Sequence, residues 1–148
     1  MQDENIVRIA KILLLRVRER NKEAKKGWNC FAYDREGRFW RSSKLYYEDL
    51  DGVTKTAALI MDDIDVINDA IRAYYASTTQ DGTVWNKLLV EVSDDHIIAK
   101  TKLDPLLEQY FYGGREKLFE LEDEYGGLNV ARNIARWESL DEFRDTTD

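Results

Sequence analysis

Apolar and polar positions alternate most cleanly between Val84 and Leu103. In the first half, Val84, Leu88, Val90 and Val92 share one face, and Trp85, Lys87, Leu89 and Glu91 the other. After the polar break Ser93-Asp94-Asp95-His96, Ile97, Ala99, Thr101 and Leu103 alternate with Ile98, Lys100 and Lys102. A period of two on both sides of a short polar break predicts an antiparallel hairpin with one face on a core. An isolated hairpin is barely stable in water, so it needs further strands and helices laid on its apolar side.

The rest of the chain offers both. Ile6, Ile9, Ala10, Leu13 and Val17 recur at helical spacing and predict a helix over Asp3–Ala24, with acidic residues at its start, basic residues at its end and Gly27 as a stop. Trp28–Tyr33 and Arg38–Ser43 predict a second hairpin around Asp34-Arg35-Glu36-Gly37. Its aromatics fall on both faces, which suits either a sheet covered on both sides or an aromatic face shown to a partner. Lys44–Gly52 reads as a loop or a short extension of the second strand. Ile60, Ile64, Ile67, Ile71 and Tyr74 predict a second long helix over Thr54–Ser77, followed by a loop at Thr78–Gly82. Asp104-Pro105 has the chemistry of a helix start, and a short aromatic helix over Pro105–Tyr112 ends at Gly113-Gly114. Helical pieces follow over Arg115–Tyr125 and, past Gly126-Gly127, over Leu128–Phe143; Arg144–Asp148 reads as a frayed end. The expected architecture is a single α+β domain over residues 1–148. It has an antiparallel sheet of about four strands, from two hairpins, with helices packed chiefly on one side.

Composition narrows the class of function. With 43% apolar and 34% charged residues, the chain suits a globular domain with a densely ionic surface. No apolar run reaches bilayer length, and the N-terminus lacks a signal peptide's basic start and apolar region, so a cytoplasmic location without membrane contact is expected. Cys30 is the only cysteine, so no intrachain disulfide forms. The net charge of −7 is unevenly placed: residues 1–44 carry +6 and residues 45–148 carry −13. An acidic body repels nucleic acid and attracts basic proteins, so no direct nucleic-acid binding is expected.

The residues for chemistry are sparse. The single histidine, His96, sits in the turn of the central hairpin and reads as a turn residue rather than a base serving a Ser or Cys nucleophile. One Cys and one His are too few for zinc. The carboxylates of Asp62, Asp63 and Asp65 diverge on a helix without the glycine-bearing loop of a calcium site. The glycine pairs match neither a P-loop nor a dinucleotide fingerprint. No catalytic residue, metal or cofactor is therefore expected, although a small enzyme with perturbed carboxylates in a pocket stays open on sequence alone. Tyr46, Tyr47, Glu48 and Asp49 mix tyrosines with carboxylates, as a surface gripping a basic partner would; an ordinary acidic loop with inward tyrosines fits equally.

The order helix, hairpin, helix, polar loop, Trp-led hairpin and acidic helical tail resembles the YezG-like family of bacterial immunity proteins. The resemblance rests on the aromatic strand pair from Trp28 to Trp40, the helix Ile60 to Tyr75, Trp85-Asn-Lys-Leu-Leu-Val-Glu-Val, and the turn and strand Asp94–Asp104. It spans residues 5 to 104 and weakens after Gly113. It implies a non-enzymatic antitoxin that binds a cognate toxin, often a nuclease, and covers its active site. On that expectation Tyr46, Tyr47, Glu48, Asp49, Asp62, Asp63 and Asp65 form the partner-binding face. The competing expectation is an adaptor that self-associates through an aromatic sheet face.

Overall fold

The structure is a computed structural model that describes residues 3–37, 39–41 and 45–125, with residues 39–41 described in backbone only. The helix expected over Leu128–Phe143 and the frayed end after it lie outside the described residues. In chain order the elements are α1 (Glu4–Arg20), β1 (Lys26–Tyr33), β2 (Phe39–Arg41), β3 (Leu45–Glu48), β4 (Thr54–Ala57), α2 (Met61–Thr78), β5 (Lys87–Val92), β6 (Ile97–Lys102), α3 (Pro105–Tyr112) and α4 (Arg115–Tyr125). The fold is α+β. The strands form one antiparallel sheet in the order β4-β3-β1-β5-β6, with β2 paired to β1 off that path. The sheet is thus larger than the expected four strands.

The difference arises at residues 45–57. Glu48, Tyr47, Tyr46 and Leu45 pair with Thr54, Lys55, Thr56 and Ala57, so β3 and β4 form a hairpin over residues that the sequence pattern assigned to a loop or a short extension of the second strand and to the start of α2. A three-residue connection closes it. Gly52 donates its N–H to the Asp49 carbonyl at 3.1 Å, Asp49 donates its own to Val53 O at 3.0 Å, and Gly52 takes φ +79°. A type I turn ending in a left-handed glycine is a standard hairpin connection. The β-branched Thr54 and Thr56 favour the strand, and α2 starts only at Met61, where Asp63 accepts the Ile60 N–H at 3.1 Å.

The chain packs as two units. The first takes the described parts of residues 1–29, 43–83 and 89–100. Ile6, Ile9, Leu13 and Val17 of α1 are fully buried there, along with Leu45, Ile67 and Ile71. Each such side chain contributes about 1.5–3 kcal/mol relative to exposure. Helix α1 ends earlier than expected, at Arg20, with Asn21 donating its N–H to Val17 O at 2.8 Å. Gly27 is no helix stop; it lies in β1, where a Cβ would meet Val17 Cγ2 at 2.7 Å, so its lack of a side chain admits α1. Trp28 stacks on Tyr46, ring centres 6.1 Å apart.

The second unit takes the described parts of residues 30–42, 84–88 and 101–148. Ala32, Leu107 and Leu121 form its apolar centre, with Leu106, Tyr110, Phe111 and Tyr125 against them. Asp104 organises it. Its carboxylate caps α3 at the Leu106 N–H (2.9 Å) and meets the buried Lys87 ammonium at 3.1 Å, while Asn86 Oδ1 accepts the Asp104 N–H at 2.7 Å.

Candidate functional site

The seven residues expected to form a binding face do not form one. Tyr46 and Tyr47 are only 6% and 4% exposed, and because successive strand residues point to opposite faces, both faces of β3 are shielded at these positions. Asp49 is buried in its own turn, accepting the N–H groups of Asp51 and Val53 at 2.9 Å each and pairing with Lys55 at 2.9 Å. Those contacts, led by the Val53 N–H, hold its carboxyl below the usual range. Glu48 is half-buried between Lys25 and Lys26, at 3.9 and 3.8 Å. Asp63 is buried against Arg16, which donates from Nε at 2.6 Å and from Nη2 at 2.9 Å. That guanidinium pushes the Asp63 carboxyl down against the opposing effect of burial, and Asp63 in turn holds Arg16 charged. Of the seven, Asp62 and Asp65 alone are exposed.

They belong to a different surface, the outward face of α2. At about 100° per residue, Met61, Arg72, Asp65, Ala76, Asp69, Asp62, Ala73 and Val66 fall within an arc of about 140°, and all eight are exposed. Asp63, Ile67, Ala70 and Ile71 lie on the opposite, buried side. Met61 is 71% exposed and Val66 36%, so apolar side chains border three carboxylates. Arg72 is the single cation of the arc, 3.9 Å from Asp69. Among the described residues no ion pair engages Asp62 or Asp65. The sequence showed these aspartates off the apolar stripe of the helix; it gave no reason to prefer Met61 and Val66 over the tyrosines of β3 as their apolar companions.

The turn between β5 and β6 holds the described histidine chemistry. A hollow of about 360 Å³ is lined by Lys11 and Leu14 of α1 and by Val92–Ile97. His96 Nδ1 lies 2.8 Å from Ser93 Oγ, and Nε2 lies 3.2 Å from the buried Glu91 carboxylate, which Lys26 approaches at 3.3 Å. Ser93 donates its hydroxyl hydrogen to Asp95 at 2.7 Å, the leading reason why the Asp95 carboxyl is held low. The serine proton thus goes to a carboxylate, and the Ser93 N–H closes the turn on His96 O at 3.0 Å. These contacts shape a tight hairpin end. A general acid would instead need a raised carboxyl.

No group of three or more His, Cys, Asp or Glu among the described residues is placed to hold a metal ion. No described helix is long and apolar enough to cross a membrane. The aromatic faces of β1 and β3 are interior, since Trp28, Phe31, Tyr33, Tyr46 and Tyr47 are all buried; the side chains of Phe39 and Trp40 lie outside the described residues. Neither the protein-family models nor the curated proteins compared with the chain give a match.

Proposed function

We propose that this protein is an immunity protein of the YezG-like kind, a cytoplasmic antitoxin that binds a basic toxin domain, such as a nuclease, and covers its active site. It carries out no chemistry itself and holds no cofactor. The observation that supports this reading is the outward face of α2. Asp62, Asp65 and Asp69 stand unburied beside the exposed Met61 and Val66. Exposed carboxylates steer a cationic protein and set its register, and apolar side chains among them supply area that becomes dry on contact. An enzyme that grips phosphates presents Lys and Arg where this face presents Asp.

The partner surface differs from the one the sequence pattern favoured. Asp62 and Asp65 stay in it, Asp69, Met61 and Val66 join it, and the buried Tyr46, Tyr47, Asp49 and Asp63 leave it, as does Glu48, half-buried between Lys25 and Lys26. The experiment is protection of cells expressing a candidate basic toxin domain, sought among the products of the genes neighbouring this one. The wild-type chain should restore growth. The Asp62→Lys, Asp65→Lys, Asp69→Lys triple variant should fail to do so at equal abundance. Full protection by the triple variant would remove α2 from the reading, and no protection by the wild type would remove the reading itself.

A further inference from the structure

The outer edge of the sheet points to a second interaction surface, independent of the α2 face. Strand β4 ends the strand order, so only β3 pairs with it among the described residues. Which of its backbone groups are free follows from the turn. Asp49 N–H bonds Val53 O, so residues 49 and 53 are a hydrogen-bonded pair. Antiparallel pairs alternate between bonded and non-bonded. Tyr47·Lys55 and Leu45·Ala57 are therefore bonded, while Glu48·Thr54 and Tyr46·Thr56 are not. The N–H and C=O groups of Thr54 and Thr56 thus point away from the sheet.

Natural edges are usually guarded by an outward charge, a proline or a bulge. Here the one charge on β4, Lys55, is drawn back onto Asp49 at 2.9 Å. Thr54, Lys55 and Thr56 are exposed, and exposed apolar side chains flank the strand, with Val53 before it and Ile60 after it.

We propose that β4 pairs antiparallel with β4 of a second copy of this chain, about a two-fold axis at Lys55. In that register Thr54 lies opposite the partner's Thr56, and both pairs of free backbone groups are used. Val53 meets the partner's Ala57. The ends also match in charge. Arg20 lines a hollow of about 300 Å³ with Thr56, Ala57 and Ala58 at one end of the strand. Asp51 is exposed in the turn at the other end. An antiparallel two-fold brings each Asp51 towards the partner's Arg20, as a self-complementary interface requires. Lys55 faces the partner's Lys55, and each ammonium is already compensated by its own Asp49. So short a contact makes a weak dimer, with a dissociation constant of about 10–100 µM.

Sedimentation equilibrium of the full chain across that concentration range tests this. The wild type should pass from monomer to dimer. Asp51→Arg and Arg20→Asp should each lower dimer affinity about tenfold, and the double variant should regain most of it. Thr56→Pro removes an outward N–H and leaves the bonds to β3 intact, so it should abolish the dimer while the melting curve stays near wild type. A wild type that remains monomeric throughout overturns the proposal and leaves the edge to a foreign strand. So does a dimer that is indifferent to both the charge exchange and the proline. Because Asp51, Arg20 and Thr56 lie off the α2 face, toxin protection by these variants separates failure here from failure of the antitoxin reading.

Discussion

The two faces of α2 use the same residue for opposite purposes. Asp63 points inward, takes two hydrogen bonds from Arg16 and one from the Ile60 N–H, and ties α2 to α1. Asp62 and Asp65, next to it in sequence, point outward, with no ion pair among the described residues. The second unit repeats the first case: Asp104 is buried, caps α3 and meets the Lys87 ammonium. A carboxylate count says nothing about which residues are left for a partner. Angular position on the helix and the presence of an inward cation decide it.

Inward and outward aspartates should behave differently on substitution. The largest effect is expected at Asp104. Asp104→Ala removes a helix cap and parts the buried Lys87 from its carboxylate, and should cost about 3 kcal/mol in chemical denaturation. Next comes Asp63→Ala, which removes two charged hydrogen bonds at a partly shielded site and should cost about 2 kcal/mol by the same measurement. Replacing Asp62, Asp65 and Asp69 by Asn should change stability by about 0.5 kcal/mol or less at each exposed site, and so by less than the single inward change even when all three are combined.

Acid titration of stability sharpens the same contrast. The Asp63 and Asp49 carboxyls are held low, chiefly by Arg16 and by the Val53 N–H. A carboxyl lowered by folding binds fewer protons in the native state. Its contribution is therefore complete above the unfolded value of about 3.9 and is lost as pH falls through the lower native value. The chain should lose stability below about pH 4, and Asp63→Asn should make that loss shallower. An unchanged acid slope in this variant would mean that the Arg16 pair is not linked to folding.

Much of the fold was legible in the sequence. Period-two alternation located β5 and β6, the Asp34–Gly37 turn located β1 and β2, and Asp104-Pro105 marked the start of α3. The β3–β4 hairpin was not legible. Thr54–Ala57 has no alternation of apolar and polar residues, and it is strand because β3 supplies the hydrogen-bond partners. The site was legible only in part. Asp62 and Asp65 stood out as acidic positions off the apolar stripe, but their neighbour Asp63 differs only by facing Arg16, which lies on another helix. Tyr46 and Tyr47 resembled contact residues by type, but as successive residues of a strand they point to opposite faces, and both are buried.

The most direct test is the affinity of the purified chain for the basic toxin domain proposed as its partner, measured at salt concentrations from about 0.05 to 0.5 M, where exposed charges pass from weakly to strongly screened. Wild-type affinity should fall as salt rises. The Asp62→Asn, Asp65→Asn, Asp69→Asn variant should bind at least about tenfold more weakly at low salt, with a flatter salt dependence. Equal affinities and equal salt slopes for the two proteins would contradict the account.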